Sequence, residues 1–143
     1  MLHVINTWGN QAMKTFSVTT KRQTEMIDIT RDINRLVAES GVREGLCTVF
    51  IPHTTAGVTI NENADPDVPR DMLMEVNKIV PLQDGYKHAE GNSAAHIKST
   101  LFGCSTNVII ADGRLCLGTW QSVFFCEFDG PRSRTVWVRI SGT

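Results

Sequence analysis

Short runs in which hydrophobic and polar residues alternate predict β-strands at the start of the regular structure. Residues 14–20 place Phe16 and Val18 between polar neighbours, and residues 25–29 repeat the pattern. A period of two puts alternate side chains on one face of a strand. Because the two runs are close in sequence, we expect them to form a β-hairpin.

Three later segments show the period of a helix. The first begins at Thr30 and ends at Gly41, a residue suited to a left-handed C-terminal cap. The second begins at Asp65, whose carboxylate is suited to capping, and the third covers residues 94–102. The stripes that we expect to face the core are Ile33, Leu36 and Val37 in the first helix, Val68, Met72, Val76 and Ile79 in the second, and Ala94, Ile97 and Leu101 in the third.

The rest of the chain is rich in β-branched and aromatic residues and predicts six more strands. They cover residues 46–51, 57–62, 107–111, 114–117, 122–128 and 133–140. No βαβ unit repeats, so we predict an α+β fold, a two-layer antiparallel β-sandwich with two or three helices. Residues 1–13 show neither period and are interpreted as an N-terminal tail or leader, which leaves residues 14–143 as a single domain.

Length and charge narrow the class of protein. The chain has 143 residues, and its 14 Lys and Arg against 15 Asp and Glu give a net charge of −1. A chain of this size buries roughly two-thirds of its extended surface, enough for a hydrophobic core. The sequence has neither a dense basic patch for nucleic acid nor an apolar run of about 18 residues for a membrane helix. We therefore expect a cytoplasmic protein that binds a small molecule.

Four cysteines are spread along the chain without a Cys-x-x-Cys pair. Three of them lie in or beside apolar runs that predict strands, and their positions are Cys47, Cys104, Cys116 and Cys126. Such spacing in an intracellular chain is typical of reduced thiols. We expect all four to be buried and free.

Three of the four histidines, His53, His88 and His96, fall at a predicted strand end, in a loop and at a helix start. Loops and element ends are where binding sites are built. Three imidazoles with water in the fourth position form an open zinc site. The spacing of His88 and His96 matches no standard zinc signature, so ordinary surface and capping roles stay open.

Other polar residues suggest substrate contacts, each with a simpler alternative. Trp120 would stack on a planar ligand or pack at a sheet corner, and Arg134 would bind a phosphate or remain a solvated turn charge. Thr55, Asn61 and Asn63 share one parity and form a hydrogen-bonding strip or a solvent-facing strand side.

Residues 53–66 read HTTAGVTINENADP and resemble the signature of the YjbQ family. His96-Ile97-Lys98-Ser99 and Gly118-Thr119-Trp120-Gln121 are similar to two further blocks of that family, in the same order. The resemblance runs from about Phe16 to Ile140. It implies a trimer with two β-sheets, and members often carry the description secondary thiamine-phosphate synthase. It also implies a divalent metal held by histidines, with functional positions at His53, Asn61, Glu62, Asn63, His88, His96, Trp120, Gln121 and Glu127.

The leading hypothesis is therefore a metal-dependent transferase that joins a pyrimidine diphosphate to a thiazole phosphate with loss of pyrophosphate. The expected metal ligands are His53, His88 and His96, with zinc the first choice; the expected catalytic residues are Glu62, Glu127 and Asn61; the expected substrate contacts are Thr55, Asn63, Trp120, Gln121 and Arg134. The alternatives are a metal-dependent hydrolase of a small phosphate or amide, and a non-enzymatic trimeric ligand-binding protein.

Overall fold

A computed structural model describes residues 13–143, in which eight strands and three helices are found. The strands are β1 (Lys14–Thr19), β2 (Glu25–Asp28), β3 (Gly45–Phe50), β4 (Ala56–Glu62), β5 (Ser105–Ala111), β6 (Arg114–Leu115), β7 (Gln121–Glu127) and β8 (Ser133–Gly142). The helices are α1 (Thr30–Ser40), α2 (Asp67–Ile79) and α3 (Ser93–Phe102). The predicted tail, apart from Met13, lies outside the described residues. No helix in the described range is long and apolar enough to cross a membrane.

The strands form two antiparallel sheets, which confirms the predicted α+β class. The larger sheet has the order β1-β8-β3-β5-β6, and the smaller has the order β2-β7-β4. The predicted hairpin of the first two strands is wrong, because β1 pairs with β8 and β2 pairs with β7. Alternation shows which side chains face a core, but it does not identify the neighbouring strand. The loop at residues 20–24 therefore crosses from one sheet to the other.

Strand β7 lies at the centre of the smaller sheet and is buried on both faces. Val123 and Phe125 belong to the main core between the sheets, which also contains the stripe predicted for α1. Phe124 and Cys126 face the other way, into a second apolar cluster that includes Ala95 of α3. The smaller sheet is thus covered by the larger sheet on one side and by α3 on the other.

The stripes predicted for α2 and α3 are only partly right. In α2, Val68, Met72 and Val76 are half-buried as predicted, but no residue is fully buried and Ile79 is 67% exposed. In α3, Ala94 is buried as predicted, together with Ala95, Lys98 and Ser99, whereas Ile97 and Leu101 are 39% and 63% exposed.

The C-terminal end of α3 packs closely on β4. The Val58 N–H donates to the carbonyl oxygen of Gly103 at 3.1 Å, and a Cβ on Gly57 would lie 2.8 Å from that oxygen. On the buried face of α3, the Ser99 hydroxyl donates to the carbonyl oxygen of Ala56 at 2.6 Å, so contacts with β4 orient the helix.

All four cysteines are free, but only two are buried. Cys47 and Cys126 lie in the core, whereas Cys104 and Cys116 are exposed, so the expectation of four buried thiols is half wrong. Burial raises the pKa of Cys47 to about 11 and raises that of Cys126 further. Both exposed thiols lie outside the strands, where the apolar runs have ended.

Candidate functional site

Glu127, at the end of β7, is the centre of a buried hydrogen-bond network. The residue is fully buried, and its carboxylate accepts hydrogen bonds from five donors. Arg134 donates through Nε at 2.9 Å and through Nη2, and Thr20 donates through its hydroxyl at 2.8 Å. The backbone N–H groups of Phe128 and Asp129 complete the set at 3.1 and 3.2 Å. Both oxygens of this carboxylate are therefore saturated with hydrogen bonds.

The electrostatics hold Glu127 in its ionised form. Burial alone would raise its pKa, but the hydrogen bonds from Arg134, Thr20 and the Asp129 N–H outweigh it, and the pKa lies below the ordinary value. A carboxylate that is ionised, enclosed and fully bonded is a poor proton carrier. Its hydrogen bonds position the Arg134 guanidinium, and a catalytic role for Glu127 stays a prediction.

Arg134 links this network to a cleft. Its Nη2 donates to the hydroxyl oxygen of Thr55 at 2.8 Å and to the carbonyl oxygen at 3.3 Å. Within residues 13–143 its Nη1 makes no hydrogen bond, and Arg134 lines a cleft of about 520 Å³. The guanidinium is thus fixed on two nitrogens and free on the third.

Four parts of the chain build the cleft around Arg134. The loop between β3 and β4, the loop after α2, the first turn of α3, and the connection from β7 to β8 each contribute. The lining residues are Pro52, His53, Thr54, Thr55, His88, Glu90, Asn92, His96, Asp129, Arg132 and Arg134. All three histidines singled out in the sequence therefore reach one cleft, together with two arginines.

The three histidines are placed differently within the cleft. The His88 and His96 rings meet edge to face, with their centroids 5.5 Å apart. His53 stands beside the arginine network, and its Nε2 accepts a hydrogen bond from the Thr135 N–H at 2.9 Å. Burial, reinforced by the positive charge of Arg134, lowers the pKa of His53, so its ring is neutral and carries its proton on Nδ1.

The centroid separation of His88 and His96 is compatible with a shared metal ion. Two imidazoles on one tetrahedral zinc, with Zn–N near 2.0–2.1 Å, place their centroids roughly 5 Å apart. His53 offers a lone pair only after it releases the Thr135 N–H. Across residues 13–143, no three His, Cys, Asp or Glu side chains gather as ligands of one ion. A site formed by all three histidines stays a prediction.

Asn92 also lines the cleft, at the position just before α3. Its Nδ2 donates to an Asp129 carboxylate oxygen at 2.9 Å, and that carboxylate also accepts from Arg132 at 3.1 Å. Its Oδ1 is buried and has no hydrogen-bond partner within the described residues. An unpaired buried acceptor is costly, so this oxygen is suited to a donor on a bound ligand. An asparagine before a helix is so common that no pattern in the sequence marks this one.

The other predicted site residues lie at the opposite end of β4 and β7. Glu62 pairs with Gln121, whereas Ala56 pairs with Glu127, and the seven residues of β4 span about 20 Å. Trp120 is 64% exposed beside this far end. Asn61, Glu62, Asn63, Trp120 and Gln121 therefore do not join the cleft within one chain.

Hydrogen bonds at this far end are mostly local. The amide oxygen of Asn61 accepts from the Glu62 N–H, and that of Gln121 accepts from the Gly118 N–H, both at 2.8 Å. Asn63 Nδ2 donates to the Asp28 carboxylate at 2.6 Å. These hydrogen bonds stabilise the strand ends and the turns beside them.

The fold and the cleft together define the class: an antiparallel α+β protein with a cleft lined by histidines and arginines. The sequence profile of a family described as "UPF0047 protein YjbQ-like" matches residues 14–143. The chain belongs to this YjbQ/UPF0047 family. It is 50% identical over 131 residues to the UPF0047 protein YugU of Bacillus subtilis, an alignment that covers 91% of this chain and 99% of that protein. It is also 49% identical over 127 residues to a UPF0047 protein of Methanocaldococcus jannaschii, covering 89% and 92%.

Solved structures of similar proteins share the fold. An uncharacterized conserved protein of the YjbQ/UPF0047 family from Clostridium acetobutylicum superposes with a TM-score of 0.88 at 54% identity, covering 90% of this chain and 99% of that one. A YbjQ-like protein of unknown function from Sulfolobus solfataricus also gives 0.88, at 32% identity, covering 92% and 97%. The family and the fold are thus shown, and the family is an uncharacterised one.

Proposed function

We propose that this protein is an enzyme that acts on a small phosphate-bearing substrate in the histidine cleft. The observation that carries the proposal is Arg134, whose guanidinium is held by Glu127 and Thr55 and whose Nη1 is left for a ligand. A guanidinium fixed in this way binds a phosphate without losing side-chain freedom on binding. Arg132 lines the same cleft and adds a second positive charge.

The leading reaction is the one that the family resemblance implies, transfer of a pyrimidine from its diphosphate to a thiazole phosphate. Arg134 and Arg132 would hold the departing pyrophosphate. Asn92 Oδ1 would accept from an amino group of the substrate. A divalent cation such as zinc, bound by His88 and His96 with His53 as the third predicted ligand, would supply further charge neutralisation.

Incubation of the purified chain with both precursors, with and without added zinc, tests this reaction. We expect thiamine phosphate to form, and His96→Ala to lower its rate at least tenfold. The matched control is His3→Ala, since His3 is the one histidine that no prediction assigns to the site. Product no higher than in the His96→Ala protein would end the transferase proposal.

Hydrolysis of a small phosphate ester is the second candidate, and the position of Trp120 favours it. Transfer between two rings calls for an aromatic surface, yet Trp120 lies about 20 Å along the sheet from the cleft within one chain. Hydrolysis needs the arginines and histidines only. We expect Trp120→Ala to retain phosphate release from a chromogenic phosphate ester, while Arg134→Lys loses it. Equal loss in both variants would favour ring transfer instead.

A homotrimer, which the resemblance implies, is supported by the outer face of the larger sheet. Leu46 and Ile109 are paired there and exposed, and Phe50 stacks on Trp137 with centroids 5.6 Å apart. An apolar sheet face of this kind is typical of a subunit contact. We expect a trimer by light scattering and a smaller species for Ile109→Glu. The same mass for both proteins would rule this face out as the contact.

A further inference from the structure

Lys98 of α3 is a buried lysine that the proposed reaction does not use. It is only 4% exposed, and its Nζ donates to Asn77 Oδ1 on α2 at 2.7 Å. Asn77 Nδ2 in turn donates to the Thr24 hydroxyl at 3.2 Å, so the amide oxygen is turned towards the lysine. Residues two apart on a helix point about 200° apart, so Lys98 faces away from His96 and its cleft.

The positive charge of Lys98 has no opposite charge beside it. Within residues 13–143, no carboxylate lies within ion-pair distance of its Nζ, whereas Lys78, exposed on α2, has Glu75 at 3.9 Å. Asn77 is the one side chain in that range that accepts from its three N–H donors. A buried ammonium without a counter-charge is costly, and a bound anion is the direct way to offset that cost.

A separate cavity of about 140 Å³ adjoins this ammonium. Its floor is formed by buried residues, Ala94, Lys98 and Phe128, and its rim by Gln23, Thr24 and Leu82, among others. The lining therefore combines polar residues, Lys98 and Thr24, with apolar ones, Leu82 and Phe128. This mixed lining matches a molecule that has a charged head and a short hydrocarbon tail.

We propose that this cavity binds a short-chain carboxylate. Its carboxylate would lie on the Lys98 ammonium and the Thr24 hydroxyl, and its hydrocarbon tail would lie against Leu82 and Phe128. The site is distinct from the histidine cleft and does not depend on the function proposed for it. The motif at residues 96–99 would then serve two sites on opposite sides of α3, with His96 in the histidine cleft and Lys98 in the carboxylate cavity.

Calorimetric titration of the full chain with acetate, propionate and butyrate tests the proposal, with chloride and inorganic phosphate as further arms. We expect saturable binding of carboxylates that strengthens from acetate to propionate. Lys98→Met should weaken it at least tenfold, and Thr24→Val about threefold. Lys78→Met, which removes the same charge from a neighbouring exposed position, should leave the affinity unchanged.

Three results would overturn the proposal. They are no saturable binding of any carboxylate, affinity for chloride equal to that for propionate, and unchanged affinity in a folded Lys98→Met protein. If Lys98→Met does not fold, Thr24→Val decides the matter, because an unchanged affinity in that variant also contradicts the placement. A propionate-induced shift in the amide NMR signals of residues 94–98, absent for those of residues 118–121, is the supporting structural readout.

Discussion

The two ends of strands β4 and β7 differ sharply although the same ladder joins them. At one end, Glu127 and Arg134 are buried and bonded to Thr20 and Thr55, which are far away in the sequence. At the other end, Asn61 and Gln121 are exposed and bond to backbone groups within three residues. Both ends are polar in the sequence, and only the first is a long-range network.

This difference bears on where a site is built. A buried network that joins distant segments holds each donor in place before a ligand arrives, as a site requires. Local bonds at an exposed strand end stabilise a turn and leave the side chains free to move. The Arg134 end therefore has the properties of a binding site, whereas the Trp120 end within one chain does not.

The largest effect is expected when the buried end loses its negative charge. Glu127→Gln keeps the volume but leaves the Arg134 guanidinium buried without its counter-charge, which costs about 3–5 kcal/mol of unfolding free energy. Urea denaturation measures this loss. The matched variant Asn61→Ala, at the exposed end, should change stability by less than about 0.5 kcal/mol. Similar losses in the two variants would remove the distinction between the ends.

Low pH should reduce the contribution of Glu127, at the buried end, to the free energy of unfolding. The pKa of Glu127 is lower in the folded protein than in the unfolded chain, where it is near 4.3. Its contribution to stability is therefore complete above about pH 4.3 and is lost as the pH falls through the folded pKa, because the unfolded chain then binds more protons. Urea midpoints between pH 7 and 3 should fall more steeply for the natural chain than for Glu127→Gln. Parallel curves for the two proteins would show that Glu127 titrates normally.

Much of the fold could be predicted from the sequence because its signals are local. The α1 stripe and the left-handed Gly41 both depend on neighbouring residues, and both are present. Strand partners depend on residues far apart, which is why the predicted hairpin of β1 with β2 fails. Likewise, Ile97 and Leu101 of the predicted α3 stripe are exposed because contacts with β4, such as that of the Ser99 hydroxyl with the Ala56 carbonyl oxygen, decide which face of α3 is buried.

The candidate site, like the fold, could be predicted only as far as local sequence signals reach. The three histidines, which the sequence puts at a strand end, in a loop and at a helix start, line one cleft, whereas their joint binding of a metal stays a prediction. The polar parity of β4, however, does not show which end of the strand a residue occupies. It groups Asn61 with Thr55, which lies about 20 Å away along the strand. The roles of Thr20 and Asn92 follow from three-dimensional neighbours that no spacing encodes.

A smaller effect is expected from the side-chain hydrogen bond between Asn63 and Asp28 at the exposed end. Asn63→Ala removes the hydrogen bond to the Asp28 carboxylate, and because both partners are exposed the loss should be about 0.5–1 kcal/mol. A double-mutant cycle with Asp28→Ala measures the coupling energy between the two side chains. We expect this coupling energy to lie in the same range as the loss in the single variant. A coupling energy above about 2 kcal/mol would place this end in the same class as the buried one.

Thiol accessibility compares the ends without altering stability at all. Cys126 lies next to Glu127 on β7 and is buried with a raised pKa, whereas Cys116 lies shortly before the exposed end and is open to solvent. Because the thiolate is the reactive form, a thiol reagent at pH 8 should modify Cys116 and Cys104 in the folded protein and spare Cys126 and Cys47. Urea-unfolded protein, in which all four should react, is the control. Rapid modification of Cys126 under native conditions would mean that the buried end opens readily, and a site that opens readily would not keep Arg134 in position for a phosphate.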